Sequence, residues 1–387
     1  MGHIHGDKLL QQVAKRLVQN CRNQDISFRF GGDEFVICLP EQINRHTLEG
    51  ICKRYAHVLS EPYTIDGQTF HIGASIGVSI VTDPSQDLAT ILREADTAMY
   101  KAKGSGQEKI AFFHEQMFQQ AKQRFALEQD ITVALEQQEL QLVYQPIYAI
   151  HNDEVSGFEA LLRWQHPERG FIPPDKFIPI AEETGHIIKI GDWVVEKTCE
   201  VLESLWKDST ITLMPRININ VSAKQFESQH IYLTLKKAVS RYSFPPQCIG
   251  VEITESLLLS SSECSAVMLE KIKSLGVTIY LDDFGTGYSS LGVLNEYPVD
   301  VVKMDRSFVS GIGQQNPKSD SLCHAVINMA QTIDLDVVAE GVETKAQLDI
   351  LASYGCDFMQ GYLKSKPVAE SQVRGIIHAH QVCAKLA

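Results

Sequence analysis

The sequence predicts an α/β protein in which a (β/α)8 barrel with one antiparallel strand follows a smaller α+β domain. The first observation is that β-type runs alternate with helical patterns from residue 140 onward, which is typical of a parallel sheet. The second is that eight such runs over about 250 residues fit a closed barrel better than an open sheet. The third is that 387 residues, of which 44% are hydrophobic, can form both domains.

The first 112 residues contain short elements of both kinds. Helical periodicity predicts helices at 8–21, 47–59 and 88–103. Runs rich in β-type residues predict strands at 27–30, 34–39 and 70–81. The first two strands flank Gly31-Gly32-Asp33, a tight turn that predicts a β-hairpin.

A polar, helix-favouring segment follows at residues 113–138. Its composition is also compatible with disorder, but the spacing of its apolar residues favours a connecting helix. We therefore assign 1–112 to the first domain, 113–124 to a helical linker and 125–387 to the barrel.

The barrel elements follow in a regular order. Strands are predicted at 140–148, 154–163, 216–222, 249–254, 277–282, 300–304, 336–340 and 357–361. Helices are predicted at 175–184, 188–207, 224–242, 262–274, 318–333, 344–353 and 370–383. Only a short turn near residues 151–153 joins the first two strands. The first strand is therefore expected to run antiparallel to its neighbour.

Charge and composition exclude several classes of function. A formal charge of −13 argues against general binding to nucleic acid, which requires a basic surface. Nine cysteines without CxxC pairs indicate reduced thiols and a cytoplasmic location. We find no membrane span and no signal peptide. Met1 is followed at once by Gly2-His3, with no element that would lead into the first domain. We therefore expect the chain to be part of a longer protein, which could have a sensor domain or a membrane anchor upstream.

Polar residues lie at the ends of successive barrel strands. In a parallel barrel these ends converge on one face, where catalytic sites lie. The adjacent carboxylates Asp282 and Asp283 repel each other unless a cation lies between them, and oxygen ligands suit Mg²⁺ or Mn²⁺. The strand-end residues are Glu159, Asn220, Glu252, Asp282, Asp283, Lys303, Glu340 and Gln360.

Each of these residues also has a purely structural interpretation. The Asp282–Asp283 pair suits a solvated turn or a helix cap, Asn220 a core amide, and Lys303 a buried ion pair. On successive strands, however, all these interpretations would have to hold at once. We therefore predict two divalent ions and an in-line attack of water on a phosphodiester.

These residues belong to motifs that resemble the EAL domain of bacterial cyclic di-GMP (c-di-GMP) phosphodiesterases. The resemblance covers residues 125–387. The motifs are Glu159-Ala160-Leu161-Leu162-Arg163-Trp164, Asn220-Val221-Ser222, Glu252-Ile253-Thr254-Glu255-Ser256, Asp282-Asp283-Phe284-Gly285-Thr286-Gly287, Lys303-Met304-Asp305, Glu340-Gly341-Val342-Glu343 and Gln360-Gly361-Tyr362. The fold that this resemblance implies is a TIM-like barrel with one antiparallel strand.

The resemblance also implies roles for individual residues. Two Mg²⁺ or Mn²⁺ ions would be held by Glu159, Asn220, Glu252, Asp282, Asp283 and Glu340. Lys303 and Gln360 would order the hydrolytic water, and Glu255 would anchor the loop after Asp283. The nucleotide would be contacted by Leu161, Arg163, Asp305 and Tyr362. A homodimer through the barrel is expected as well.

Residues 1–112 resemble a GGDEF (diguanylate cyclase) domain. The resemblance rests on Gly31-Gly32-Asp33-Glu34-Phe35 on the hairpin and on Gly2-His3-Ile4-His5-Gly6-Asp7 ahead of the first predicted helix. It rests also on the segment from Ala95-Asp96 to Lys103 in the last helix of the domain. It implies an inhibitory nucleotide site at Arg22 and Asp25. The family's first strand, with a metal-binding Asp, would lie upstream of Met1. The cyclase site at Asp7, Asp33 and Glu34 is therefore expected to be degenerate, with GTP or c-di-GMP as the ligand of this domain.

The sequence thus predicts a phosphodiesterase that hydrolyses c-di-GMP to linear pGpG with two metal ions. One alternative is a receptor that binds c-di-GMP without cutting it. The other is a bifunctional cyclase and phosphodiesterase in the full-length protein.

Overall fold

The computed structural model describes residues 3–40, 43–104, 109–260, 262–285, 297–313 and 317–383. The chain divides into two compact units, Met1–Ala126 and Leu127–Ala387. The second contains an eight-stranded mixed barrel, and the first is a smaller α/β region. The predicted fold class is confirmed. Within the described part of the chain, we find no helix with the length and apolar character needed to span a membrane.

Besides the start of a helix that continues into the second unit, the described residues of the first unit form three helices and three two-stranded sheets. The helices are α1 His3–Asn20, α2 Arg45–Ser60 and α3 Leu88–Gly104. The strands are β1 Ile26–Gly31, β2 Glu34–Cys38, β3 Tyr63–Ile65, β4 Gln68–Phe70, β5 Ile76–Val78 and β6 Ile110–Phe112. Its core lies between α1, α2 and the strand β3, around the fully buried Tyr63.

The hairpin prediction is confirmed, and the prediction of one strand over 70–81 is wrong. Strands β1 and β2 pair antiparallel across the Gly32–Asp33 turn, and Gly32 has a φ of +48°. Residues 63–78 instead form a second hairpin, β3–β4, and a separate strand β5 that pairs parallel with β6. The turn of the second hairpin is Asp66-Gly67, both with positive φ, a dipeptide that favours two-residue hairpin loops.

Helix α4, Glu115–Ala134, begins in the first unit and ends in the second. Eight strands then form the barrel: β7 Leu140–Ala149, β8 Val155–His166, β10 Arg216–Asn220, β11 Ile249–Thr254, β12 Thr278–Phe284, β13 Val301–Met304, β14 Asp336–Glu340 and β15 Phe358–Gln360. All neighbours are parallel except at β7, which is antiparallel to both β8 and β15 and closes the barrel. This confirms the predicted antiparallel strand. Two short strands, β9 Gly170–Ile172 and β16 Val368–Ala369, were not predicted.

Helices surround the barrel on the outside. They are α5 Pro174–Thr184, α6 His186–Trp206, α7 Ala223–Glu227, α8 His230–Arg241, α9 Glu255–Ser260, α10 Ser262–Lys273, α11 Arg306–Ser310, α12 Pro317–Thr332, α13 Lys345–Ser353 and α14 Glu370–Cys383. The single helix predicted over 224–242 is two helices, because Gln229 adopts a left-handed φ of +57° between them. The main hydrophobic core lies between these helices and the outward side chains of the strands.

The interior of the barrel is layered. Side chains alternate along each strand, so every second residue points inward. A small apolar cluster inside the barrel comprises Ile147, Tyr280, Val301, Val338 and Phe358. The carboxyl-terminal ends of the strands lie beyond this cluster. This apolar cluster is the floor of the barrel mouth, and the polar inward side chains at the strand ends pack on top of it.

Candidate active site at the carboxyl ends of the barrel strands

A buried lysine lies at the centre of the candidate site. Lys303 on β13 is 1% exposed, yet its ammonium approaches four carboxylates from four different strands. The distances from Lys303 Nζ are 2.6 Å to Glu340 Oε1, 2.8 Å to Glu252 Oε2, 3.3 Å to Asp282 Oδ1 and 3.4 Å to Glu159 Oε2. The structure therefore brings together five of the residues that the sequence places at strand ends.

Parallel pairing explains why these groups converge. Glu252 lies opposite Asn220 in the β10–β11 register, and Glu340 lies opposite Gln360 in the β14–β15 register. In a parallel barrel the ends of the strands open on one face. Inward residues near these ends therefore become neighbours across the barrel mouth. Glu159 lies in the middle of the longer strand β8 but joins them, because it is opposite Asn218 in the β8–β10 register.

Two amides hold Glu159 in place. Asn220 Nδ2 donates a hydrogen bond of 2.7 Å to Glu159 Oε1, and Gln360 Nε2 donates one of 2.7 Å to Glu159 Oε2. Both carboxylate oxygens of Glu159 are thus fixed by neutral donors, in addition to Lys303. The amide oxygen Oε1 of Gln360 is buried and has no hydrogen-bond partner among the described residues. A buried acceptor of this kind requires a partner, such as a water molecule or a cation.

The pKa values of these groups reflect burial opposed by ion pairing. Burial disfavours the charged form of Glu159, but Lys303 and the two amides outweigh it, and its pKa is lowered. Burial and the nearby Glu159 raise the pKa of Glu252 well above its ordinary value, despite Lys303. Burial disfavours the ammonium of Lys303, but the surrounding carboxylates overcome it and raise its pKa. Burial also raises the pKa of Glu340 to about 7. Because its own pKa is raised, Lys303 stays charged.

The charge balance of the site favours a further cation. Four carboxylates face one ammonium, and Asp283 lies next to Asp282 in the chain. In the described part of the chain, no three acidic, His or Cys side chains are already grouped around an empty metal position. The ammonium of Lys303 lies among the carboxylates of Glu159, Glu252, Asp282 and Glu340 and acts as their counter-ion. The donor set nevertheless fits Mg²⁺ or Mn²⁺, because it consists of hard oxygens with surplus negative charge and includes the unsatisfied Gln360 Oε1.

Asp283 and Glu255 lie at the edge of this group. Asp283 is exposed and has a left-handed φ of +56°, and its backbone N–H donates a hydrogen bond of 3.0 Å to Asp282 Oδ1. Glu255 is 2% exposed at the start of α9, and its Oε2 accepts a hydrogen bond of 3.3 Å from the Gly285 N–H. The segment 286–296, which contains the rest of the predicted loop, lies outside the described residues.

The residues predicted to contact a nucleotide lie around the same strand ends. Leu161 and Arg163 follow Glu159 on β8 at alternate positions, so all three point to the same side of the strand. Arg163 is half-buried, and burial lowers its pKa. Asp305 caps α11, where its Oδ1 accepts a hydrogen bond of 2.9 Å from the Ser307 N–H. Tyr362 exposes 56% of its surface two residues beyond Gln360.

The candidate residues of the first unit do not form a comparable cluster. Arg22 and Asp25 belong to one turn, in which the Arg22 N–H donates a hydrogen bond of 2.7 Å to Asp25 Oδ2. Asp33 and Glu34 are exposed at the tip of the hairpin. Asp7 lines a separate open cavity of about 470 Å³ between α1 and the hairpin.

One residue of the site was not predicted. Asn218 is fully buried inside the barrel, and its Nδ2 donates a hydrogen bond of 2.9 Å to Glu252 Oε1. The sequence contains a signal for it, because Asn218 and Asn220 are two residues apart on a strand and therefore point to the same side.

Comparison with known proteins gives consistent results along the whole chain. The EAL domain family matches residues 128–367, and the family described as diguanylate cyclase, GGDEF domain, matches residues 1–109. The bifunctional diguanylate cyclase/cyclic di-GMP phosphodiesterase MucR of Pseudomonas aeruginosa is 38% identical over 375 residues, which cover 96% of this chain and 54% of that protein. The cyclic di-GMP phosphodiesterase PdeR of Escherichia coli is 37% identical over 367 residues, covering 95% of this chain and 55% of that protein.

A solved structure, the PaMucR phosphodiesterase in complex with c-di-GMP, resembles the barrel unit. It is 38% identical, has a TM-score of 0.61, and covers 64% of this chain and 99% of its own. The chain spans about half the length of the curated relatives it matches.

Proposed function

The chain belongs to the EAL-domain family and carries a GGDEF region ahead of its EAL domain, and we propose on this premise that it is a c-di-GMP phosphodiesterase. The reaction is hydrolysis of one 3′,5′-phosphodiester bond of c-di-GMP to give linear pGpG. One observation carries the proposal: Lys303 is buried among four carboxylates at the carboxyl ends of the barrel strands. Relatives at 37% and 38% identity that are named as c-di-GMP phosphodiesterases support the choice of substrate.

We propose that two Mg²⁺ or Mn²⁺ ions bind in this site. Their ligands would be the oxygen-bearing side chains at the strand ends, namely Glu159, Asn220, Glu252, Asp282, Asp283 and Glu340. When bound, such ions lower the pKa of a bound water and stabilise negative charge on the phosphate. The surplus of carboxylates over lysine supports this assignment, since buried carboxylates of equal charge repel one another without a cation.

Lys303 and Gln360 are proposed to order the attacking water. The oxygen of water forms a bond to phosphorus and the bond from phosphorus to the 3′ oxygen breaks. Of the two protons of the water, one is accounted for by the 3′ hydroxyl that leaves, and the other stays on the new 5′-phosphate or passes to solvent. The Lys303 pKa is raised, so the ammonium keeps its protons and serves as a hydrogen-bond donor and a positive charge. Gln360 offers its buried Oε1 as an acceptor for a water proton.

The nucleotide is proposed to bind above these groups. Arg163 is the cation on the β8 edge of the site and suits a phosphate oxygen. Tyr362 presents an exposed aromatic ring, with Lys366 Nζ 5.5 Å from the ring centre, and suits stacking on a guanine. Leu161 and Asp305 complete the proposed contact set.

Further proposals concern association, the ligand of the first unit and the domain limits. We propose a homodimer through the barrel. We also propose GTP or c-di-GMP as the ligand of the first unit, with c-di-GMP at the inhibitory site formed by Arg22 and Asp25. For the domain limits we propose 1–112, 113–124 and 125–387, with 113–124 as the linker. A bifunctional enzyme is the second candidate function, because MucR, whose name states both activities, is 38% identical over 96% of this chain.

The experiment is incubation of the purified chain with c-di-GMP and Mg²⁺, followed by chromatography of the nucleotides. Formation of pGpG that stops on addition of EDTA is the expected result. Bound but intact c-di-GMP would contradict the proposal in favour of the receptor. A parallel incubation with GTP tests the second candidate, for which either c-di-GMP or the pGpG formed from it by hydrolysis would be the positive result.

A further inference from the structure

The floor beneath the carboxylates contains a buried amide. Asn218 on β10 is 0% exposed and faces the barrel interior, in the register position next to Gly250 on β11. Its Nδ2 donates a hydrogen bond of 2.9 Å to Glu252 Oε1. The other oxygen of Glu252 lies 2.8 Å from Lys303 Nζ. The Glu252 carboxylate is therefore held on both sides, by a neutral donor below and a charged donor beside it.

The Asn218 amide fits inside the barrel because the neighbouring residue on β11, Gly250, has no side chain. A Cβ atom built on Gly250 would lie 2.0 Å from Asn218 Oδ1 and 2.9 Å from Tyr280 Cε2. Both distances are shorter than any real contact of a Cβ atom. The φ of Gly250 lies outside the left-handed region, so the backbone itself does not require glycine there. The absence of a side chain at residue 250 is instead what gives Asn218 its place beneath Glu252.

Farther from the carboxyl ends of the strands, a second polar contact joins Tyr280 to Arg216. Tyr280 is buried in the apolar cluster of the barrel interior, and Arg216 Nη1 lies 3.5 Å from its hydroxyl oxygen. The Tyr280 ring and the Asn218 amide both lie close to Gly250. The amide is therefore fully buried between Gly250 and Glu252, with the Tyr280 ring nearby.

We propose that Asn218 is a positioning residue that fixes the orientation of the Glu252 carboxylate for metal binding. This inference rests on the proposed function, because Glu252 is one of the proposed ligands. Groups that hold a ligand from behind fix its orientation, and their loss typically lowers metal affinity or activity 10- to 100-fold. Asn218→Ala is therefore expected to weaken Mn²⁺ binding by about 10- to 100-fold.

A double-mutant comparison separates positioning from packing. Gly250→Ala keeps the amide but displaces it, so both Mn²⁺ affinity and thermal stability should fall. Adding Asn218→Ala to Gly250→Ala removes the closest contact of the new Cβ, so the melting temperature should recover relative to Gly250→Ala alone. The Mn²⁺ affinity of the double variant should stay low, because the donor to Glu252 is still missing.

The measurements are Mn²⁺ binding by electron paramagnetic resonance of the free ion, and melting temperature in EDTA. The matched control is Thr198→Val on α6, a buried polar-to-apolar change on a helix outside the barrel, which should leave Mn²⁺ affinity unchanged. At saturating Mn²⁺ the KM for c-di-GMP should match that of the wild type, since Asn218 lies below the carboxylates. Asn218→Leu, which fills the volume, replaces Asn218→Ala if the latter does not fold.

Two results would overturn the inference. One is Mn²⁺ affinity within about twofold of wild type in Asn218→Ala or Asn218→Leu. The other is recovery of both stability and Mn²⁺ affinity in the double variant, which would reduce Asn218 to a packing role. Weaker Mn²⁺ binding in the variants, together with a wild type that binds Mn²⁺ but releases no pGpG, would support the positioning role while refuting the phosphodiesterase. A wild type that binds no Mn²⁺ would refute both.

Discussion

Lys303 Nζ lies 2.8 Å from Glu252 Oε2, and each of these two residues is only 1% exposed. A buried pair of this kind gains little net stability, because removing two charges from water costs about as much as their attraction returns. Removal of one partner, in contrast, leaves a buried charge without compensation. The pair therefore makes the site sensitive to changes in the charge of either residue.

Replacement of Lys303 by methionine should destabilise the metal-free protein. The change keeps an unbranched side chain that is one atom shorter, and it removes the counter-ion of four carboxylates. We expect a loss of about 3–5 kcal/mol in the free energy of unfolding. The measurement is urea denaturation in EDTA, with the exposed Lys271→Met on α10 as the matched control. Added Mn²⁺ should restore more stability to Lys303→Met than to the wild type. Equal stability of Lys303→Met and Lys271→Met in EDTA would contradict the central role of Lys303.

Replacement of Glu159 by glutamine should abolish most of the hydrolysis and leave the fold intact. The amide group removes the negative charge and directs a donor at Asn220 Nδ2 or Gln360 Nε2, which are themselves donors. Since even indirect partners of a metal ligand account for 10- to 100-fold, we expect a fall of at least about 100-fold in kcat. The initial rate of pGpG formation is the measurement, and Glu200→Gln on the exposed side of α6 is the control. A kcat within about tenfold of the wild-type value would contradict the proposed role of Glu159 as a metal ligand.

Much of the barrel could be predicted from the sequence, because most of its strands are runs of β-type residues with a polar residue toward the carboxyl end. Parallel barrels gather such ends on one face, so the sequence alone predicts that Glu159, Glu252 and Lys303 lie together. The hairpin β3–β4 and the helix break at Gln229 could not be found in the same way. A few residues with positive φ decide both features, and hydrophobic periodicity does not detect these residues.

The partners within the site were harder to predict than its members. The sequence shows that Asn218, Asn220 and Gln360 are polar residues in strands, but it does not show which carboxylate each amide contacts. That choice depends on the stagger between strands, which sets Asn218 opposite Gly250 and Asn220 opposite Glu252. The stagger is a property of the closed barrel, so no single strand contains it.

Replacement of Tyr362 by alanine should raise the KM for c-di-GMP and change kcat little. The ring is 56% exposed, and stacking of a base on an aromatic ring contributes about 1–3 kcal/mol. The expected rise in KM is therefore roughly 5- to 150-fold. Tyr362→Phe keeps the ring and should retain the wild-type KM. Equal effects of the two substitutions would show that the hydroxyl, and not the ring, makes the contact.

Specific activity should rise with protein concentration through the range in which the proposed dimer forms. Glu255 accepts a hydrogen bond from the Gly285 N–H, and Gly285 directly follows Phe284 at the end of β12. Glu255 therefore links α9 to the strand that contains Asp282 and Asp283. Coupling between linked sites is typically about 1–3 kcal/mol. Glu255→Ala should therefore flatten the rise. The measurement is initial rate per mole of chain in a dilution series, with light scattering to report mass. Constant specific activity of a monomer at every dilution would exclude a catalytic role for the dimer.

The stability of the metal-free protein should decrease between about pH 5 and about pH 8, and Glu340 should cause part of this decrease. Burial raises the pKa of Glu340 from 4.5 to about 7, with Asp282 and Glu159 adding to the rise and Lys303 opposing it. Between these two values the folded state keeps a proton that the unfolded state has released. Stability therefore falls as the pH rises through this window, and the full penalty is present above the folded pKa.

Replacement of Glu340 by glutamine removes this titration. In EDTA, Glu340→Gln should be more stable than the wild type by about 1–3 kcal/mol at about pH 8, and the difference should be small at about pH 5. The measurement is urea denaturation at both pH values, with Glu200→Gln as an exposed control that should shift neither. Lys303 keeps three carboxylate partners in the variant, so its charge remains compensated. A Glu340→Gln protein that is less stable than the wild type at about pH 8 would mean that Lys303 needs the fourth carboxylate, and that attraction to Lys303 outweighs burial at this position.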